Sequence, residues 1–504
     1  MFTPALCSRR ATQIRWVRSQ LLLATTLVMS PFSPFAGATL PDLPRGVAVL
    51  NTVGNKAIRD GILGNPDVTM ISIDDDWANL QPNETSFNTG YLDGLIQQIT
   101  EHDDKSILLR LRTSGNSATN GGDLPDWVYT AMGVSPGSLD ATYGVTYAFV
   151  DDDETARCIP VFWNPVYLAK KKAMIALAGA HFASNPAIKV VSVAYADAVT
   201  DDWNIPNRTD GDPSQLDLWL NPPPEGAGYT SQLMIDAAIH QGDATFTDGR
   251  IGRDRVTLTS GSAVFTQADV GQSVKGPGFA KSTVIATWIN PTQVTLSKRA
   301  TGKVKTFTIP GRRDGLIDVT MGAFPNQYIT TSVNGNGPNL DAGYCSGIDP
   351  GICLPETVNK MAQTAYPGRY IVQRNNVFTK TPVASEATDA WRIIVDASAD
   401  GLPVAGQALG VCWANQTSGY RMNGGNNCDL ENPDCVPDPV TMLCDGDCAL
   451  SYGQILQRSA DRLVTYGPVY YEIYPPDASN LKDVVSCIHE MLTGGECEQG
   501  QPYH

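Results

Sequence analysis

Two kinds of segment alternate along most of this chain, and that alternation restricts its fold more than any other feature. Eight short runs, at 46–51, 68–74, 106–112, 189–195, 328–334, 370–375, 408–413 and 469–474, are mostly unbroken stretches of Val, Ile and Leu. Continuous apolar runs of that length are the pattern of parallel strands buried on both faces. Between many of them, apolar residues recur at helical spacing: Leu92, Leu95, Ile96 and Ile99; Leu168, Ile175, Ala178 and Phe182; and Leu481, Val484, Val485, Ile488 and Met491. Each series gives a helix one apolar stripe with which to lie against a sheet. Eight strands interleaved with helices fit a closed (β/α)8 barrel of the α/β class better than an open doubly wound sheet. No Gly-x-Gly-x-x-Gly or phosphate-loop pattern supports a nucleotide-binding alternative.

One stretch breaks the rhythm. Between Asp248 and Asp314 there are eleven Lys or Arg and four Asp, a balance of +7 in a chain whose net charge is −16, which leaves −23 for the rest. The same stretch is made of short β-branched runs separated by Gly, Pro and Asn, the texture of a small all-β unit. It resembles, in composition, β modules of phage-tail and surface-associated proteins. The expected organisation is a leader at 1–38, a first barrel part at 39–244, an inserted β domain at 245–313 and a second barrel part at 314–504, with a disulfide-rich loop at 425–450.

The first residues read as an export signal. Arg9, Arg10, Arg15 and Arg18 precede an apolar run from Leu21 to Met29, and Ala36-Gly37-Ala38 offers small residues for cleavage after Ala38. The run is shorter than the roughly 20 residues a spanning helix needs. A secreted chain, extracellular or periplasmic, is therefore expected, with no membrane span. Removing Cys7 leaves an even ten of the eleven cysteines, and an oxidising compartment makes disulfides their ordinary fate. Cys345 with Cys353 and Cys487 with Cys497 are near enough for local bridges. Cys428, Cys435, Cys444 and Cys448 share one loop, Cys158 and Cys412 are left over, and the pairing stays open. The loop spacings lack paired Cys-x-x-Cys knuckles, so no zinc site is expected, and no other metal motif is found. Acidic residues in that loop (Glu431, Asp434, Asp438, Asp445) leave a structural Ca²⁺ as a hypothesis beside that of a solvated acidic loop. The net negative charge argues against nucleic acid as a partner.

Barrels of this kind place their chemistry at the carboxyl ends of the strands. Those ends carry Asp76 and Trp77, Arg112, Tyr195, Asp197, Asp202 and Trp203, Asn334, Trp413 and Asn415, and Glu472. Carboxylates, amides and arginines suit sugar hydroxyls, and flat aromatic rings suit the C–H faces of a pyranose.

Several segments then resemble a family. Ile71-Ser-Ile-Asp-Asp-Asp-Trp-Ala-Asn-Leu-Gln-Pro followed by Phe87-Asn-Thr-Gly-Tyr-Leu-Asp looks like the opening of barrel glycoside hydrolases related to β-galactosidases and cellulases. Leu108-Leu-Arg-Leu-Arg with Pro125-Asp-Trp-Val, Phe162-Trp-Asn-Pro, Asp202-Trp-Asn-Ile-Pro and Tyr471-Glu-Ile-Tyr resemble its later barrel segments. The resemblance implies a secreted enzyme acting on a poly- or oligosaccharide by carboxylate acid/base chemistry. It also exposes a departure. Retaining members usually carry one catalytic Glu after strand four and another on strand seven. Here no Glu lies between Glu154 and Glu225, and no acidic residue between Asp400 and Asp429.

Glycoside cleavage needs two carboxyl groups flanking the bond. Asp197 or Asp202 would have to stand in at strand four, with Glu472 or the Asp74–Asp76 cluster as partner. Asp76, Trp77, Arg112, Tyr195, Trp203, Asn334, Trp413 and Asn415 would bind the sugar. Bland readings stand beside these. Asp202 is equally suited to capping a turn, the tryptophans to packing, and Glu472 to holding Arg110 or Arg112 in a buried ion pair. A barrel that binds carbohydrate without cleaving it, or a surface adhesion protein using the basic insert, are the alternatives.

Overall fold

A computed structural model describes residues 40–51, 57–113, 116–117, 123–138, 142, 144–150, 156–193, 221–333, 354–386, 389–408, 410–412, 451–495 and 497. Its centre is a closed barrel of eight strands: β1 (Gly46–Asn51), β2 (Val68–Asp76), β3 (Ser106–Arg112), β4 (Ile188–Val193), β5 (Tyr328–Val333), β6 (Tyr370–Val377), β7 (Val404–Ala408) and β8 (Tyr470–Ile473). Each pairs in parallel with its sequence neighbours, and β8 closes the ring on β1 with Ala48 opposite Glu472. This is the (β/α)8 architecture, with a small all-β insertion.

Helices between the strands bury the apolar stripes read from the sequence. Helix α1 (Gly90–Thr100) buries Leu92, Leu95, Ile96 and Ile99, and α2 (Pro165–Phe182) buries Ile175, Ala178 and Phe182. Asn164 starts α2, its side chain accepting from the amides of Val166 and Tyr167 at 3.0 and 3.1 Å, with Pro165 in the first turn where no amide is needed. Helices α3 (Leu316–Ala323), α4 (Leu354–Ala365), α5 (Asp389–Ala399), α6 (Tyr452–Val464) and α7 (Lys482–Thr493) complete the set used below. A capping box of Ser451 and Gln454 opens α6. Gly494, in the left-handed region at φ 93°, closes α7 where a side chain would strain the turn. Cys487 then bridges to Cys497. Among the described residues no helix is long and apolar enough to cross a membrane.

Alternation along the strands separates two environments. One set, including Val47, Val49, Ile71, Ile73, Leu109 and Val191, packs outward against the helices. The other makes a distinct cluster, Ala48, Met70, Leu108, Val190, Tyr328, Ile371, Ala405 and Tyr470, that fills the lower barrel, with Leu40 and Leu43 against it. Along the same inward faces, the next residues toward the carboxyl ends are polar: Ser72, Arg110, Ser192, Ser332, Gln373, Gln407 and Glu472, all buried.

Strand seven lies four residues earlier than expected, at Val404–Ala408 rather than 408–413. Its Val-Ala-Gly-Gln-Ala sequence carries little of the β-branched signal that marks strands. The small residues have a packing cause: a Cβ on Gly406 would sit 2.6 Å from Leu463 of α6 and 3.1 Å from Val377. Strand two continues two residues further than expected, to Asp76.

The insertion has its own core of Leu258, Phe265, Val274, Ile285, Val294, Phe307 and Ile309. Four short strands form one antiparallel sheet, and Gln241–Phe246 pairs with Phe307–Arg313 as a two-stranded stem. A buried polar seam fixes that stem. Arg312 donates to both oxygens of Asp269 at 2.8 and 2.9 Å, while Asp318 of α3 accepts from Tyr366 at 2.7 Å and from the amides of His240 and Gly315 at 2.9 and 3.0 Å.

Candidate functional site

Strand direction and alternation place two tiers of polar side chains above the apolar floor. The lower tier is enclosed. Arg110 reaches from β3 to β8, where its Nη2 donates to Glu472 Oε2 at 2.5 Å; its Nε donates to Ser72 at 2.9 Å and Nη1 to Ser332 at 3.3 Å. Gln407 and Gln373 donate to the same Glu472 oxygen at 2.6 and 3.3 Å, and Tyr470 donates to Gln373 Oε1 at 2.6 Å. Glu472 has no exposed surface, and among the described residues its Oε1 meets no donor. Of the two roles weighed for Glu472, the ion pair with Arg110 is the one its surroundings form.

The upper tier is the rim. Asp74 and Asp76 stand on the inward-facing alternation at the end of β2, level with Arg110 and Arg112 of β3. Among the described residues Arg112 is ringed by three carboxylates: Asp74 at 3.5 Å, Asp76 at 3.6 Å and Asp123 at 3.4 Å. Asp123 comes from the loop after β3, held in place by its carbonyl accepting from the Ala78 amide at 2.8 Å. One cation cannot neutralise three partly desolvated carboxylates, so protonating one of them relieves the repulsion. Burial, with the charge of Asp123 next and a hydrogen bond between the two carboxyls adding to it, pushes Asp76 up to about 7 against the opposing pull of Arg112. Asp75 points the other way. Its carboxylate accepts from the Asp76 amide at 2.9 Å and from Asn79 at 3.0 Å, which fixes the turn into the short helix Trp77–Leu80. A cavity of about 250 Å³, lined by Asn51, Arg59, Ile62, Tyr474 and Pro475 among others, opens at the ends of β1 and β8.

These positions revise parts of the sequence reading. Asp76 and Arg112 do stand together at the rim. Trp77, expected as a sugar platform, has no exposed surface. Its indole donates to Gln81 at 2.9 Å and packs edge-on to Trp127, because residue 77 falls on the outward alternation after Asp76. Asp123 was not singled out, although its place in a loop after a barrel strand, just before Leu-Pro-Asp-Trp, is the cue that identifies it. Tyr195, Asp197, Asp202, Trp203, Asn334, Trp413 and Asn415 lie outside the described residues, as do Cys345, Cys353 and the cysteines and acidic residues of the 425–450 loop. Cys158 and Cys412, the two cysteines without an expected partner, are buried thiols. Cys412 donates to the Tyr452 carbonyl at 2.9 Å, and its own amide donates to buried Asp477.

The strand pairing thus defines a (β/α)8 barrel whose carboxyl-terminal rim carries a carboxyl pair beside an arginine. No family model matches the chain. No curated protein matches it either. Among solved structures it is similar to the catalytic domain of a β-amylase from Paenibacillus polymyxa, at 10% identity over 90% of this chain and 98% of that one, with a TM-score of 0.43. It is also similar to an intracellular xylanase from Thermoanaerobacterium saccharolyticum (9% identity, 86% of each chain, TM-score 0.36). A third is endo-glycoceramidase II from a Rhodococcus species (10% identity, 88% of this chain and 78% of that one, TM-score 0.39).

Proposed function

We propose that the chain is a secreted glycoside hydrolase in which Asp76 is the general acid at the barrel rim. The observation that carries this reading is the Asp76–Asp123 carboxyl pair beside Arg112, with Asp76 held protonated to about pH 7. An acid that keeps its proton near neutrality is what departure of a glycosidic oxygen requires. Asp123 is too close to Asp76 to stand across a scissile bond from it, since the carboxyls of inverting and retaining enzymes lie roughly 5–9.5 Å apart. Its part is to keep the proton on Asp76. The second catalytic carboxylate is then Asp197 or Asp202, following β4. Arg112 and Asp74 would hold sugar hydroxyls. Glu472 sets the floor rather than acting on the bond.

The test is hydrolysis of a panel of aryl glycosides and polysaccharides across pH. Asp76→Asn should abolish turnover, and Asp123→Asn should move the alkaline limb of kcat/KM to lower pH, because a negative neighbour is removed. An unshifted limb in the Asp123 variant would refute this acid assignment. A second reading, a barrel that binds carbohydrate without cleaving it, is favoured by one observation: Glu472, on the inward face of β8, is wholly buried and its Oε2 is held by Arg110, Gln373 and Gln407. Glycan binding by a wild type that turns over nothing on the panel would select it.

A further inference from the structure

The insertion carries a charge pattern that neither the barrel nor the rim chemistry uses. Nine of its Lys and Arg side chains are exposed, whereas Arg312 is buried against Asp269. Six of the exposed cations fall on three loops that backbone and side-chain bonds draw together. The Ala300 amide donates to the Arg255 carbonyl at 2.8 Å, the Thr301 amide to the Gly278 carbonyl at 2.7 Å, and Lys298 Nζ to the Lys281 carbonyl at 2.8 Å. Arg253, Arg255, Lys281, Lys298, Arg299 and Lys303 therefore share one end of the module. Asp254 stands among them, but its carboxylate is turned onto its own loop, accepting from the Val256 and Thr257 amides at 3.1 and 3.0 Å and from the Thr257 hydroxyl. Two residues in these loops, Arg255 (φ 64°) and Ser282 (φ 59°), hold the left-handed backbone that non-glycine residues rarely adopt. Such strain persists only where the surrounding structure imposes it.

We propose that this end of the insertion is a docking surface for an acidic polysaccharide, one bearing carboxylates or sulfates along its length. Charge alone would admit other polyanions, and the remaining surface decides among them. Seating in a lipid bilayer is strengthened by apolar side chains that enter it, and Ile289 is the module's one large exposed hydrophobic residue. Single-stranded nucleic acid needs aromatic faces for its bases. The module's Phe265, Phe307, Phe279 and Trp288 are instead packed in or against its core. The patch best suits a flexible anion recognised by spaced point charges, without stacking or insertion. Six cations on converging loops meet that need, and a net charge of −23 on the rest of the chain confines the contact to this patch.

The proposal does not depend on the barrel's chemistry, and its test separates the two. The full chain is titrated with polygalacturonate and dextran sulfate, and with neutral dextran, oligothymidylate and phosphatidylglycerol vesicles as comparisons. At low ionic strength, where the screening length is about 30 Å, the two acidic glycans should bind and neutral dextran should not, with affinity falling steeply as salt rises. The triple variant Lys298→Glu, Arg299→Glu, Lys303→Glu should lose at least tenfold in affinity with an unchanged circular dichroism spectrum. Lys482→Glu, exposed on α7, should lose nothing. Undiminished binding by the triple variant, tighter binding to oligothymidylate or vesicles than to the glycans, or no binding to any polyanion would each overturn it.

Discussion

Replacing Arg110 tests how the barrel interior is held together. Arg110 is 2% exposed and Glu472 not at all, so neither charge has water to fall back on. Removing one partner of a buried ion pair costs about 3–5 kcal/mol, because the other charge stays desolvated and uncompensated. Arg110→Met should fall in that range, since it strips Glu472 of its cation and takes the donors away from Ser72 and Ser332 as well. Glu472→Leu should cost a similar amount: it leaves a buried guanidinium, and the amides of Gln407 and Gln373 lose their acceptor. The double variant carries no stranded charge, so its loss should be smaller than the sum of the two by at least about 2 kcal/mol. Urea unfolding followed by tryptophan fluorescence, with the Cys487–Cys497 bridge left oxidised, reads all three. If the two losses add to within about 0.5 kcal/mol, Arg110 and Glu472 are not coupled and the account of the lower tier is wrong.

The rim predicts the opposite kind of pH dependence from an ordinary acidic surface. Asp76 is raised in the folded chain to about 7 while an unfolded aspartate titrates near 4, so between those values the folded state binds more protons and stability should fall as pH rises. Melting temperatures of the wild type and Asp76→Asn from pH 4 to 8 should therefore diverge, with the variant lacking that decline; parallel curves would count against the raised acid. Gly406→Ala should cost about 1–3 kcal/mol by overpacking against Leu463. Leu463→Ala alone should cost about 2–5 kcal/mol, and the double variant should lose less in urea unfolding than the two single losses added together. Opening the Cys487–Cys497 bridge frees a loop of sequence separation 10, worth about 2–3 kcal/mol by loop-closure entropy, so Cys487→Ala with Cys497→Ala should melt earlier than the oxidised wild type.

What the sequence disclosed depended on how each element earns its stability. Strands buried on both faces must be apolar throughout, so β1 and β3 could be bounded to the residue. The stripes of α1, α2 and α7 were readable because a helix against a sheet needs one apolar face. Strand β7 escaped because it is selected for smallness under α6, and Gly406 erases the usual signal of a strand. Trp77 shows a second limit. An aromatic residue after a strand end reads the same whether it faces the pit or the helices, and a single step of alternation past Asp76 decides. Asp123 was hidden for a different reason: a loop carboxylate carries no periodicity, and long-range contacts such as the Ala78 amide on its carbonyl and Arg112 on its carboxylate bring it to Asp76.

The two tiers also explain why proton uptake would be concentrated at the rim. In the lower tier, among the described residues, Arg110 is paired with Glu472, and Ser72, Ser332, Gln373, Gln407 and Tyr470 complete the network with neutral groups. In the upper tier, among the described residues, three carboxylates surround Arg112, and a proton on one of them relieves the excess negative charge. That uptake falls on Asp76, raised by burial and by the charge of Asp123, at the carboxyl-terminal rim of the barrel.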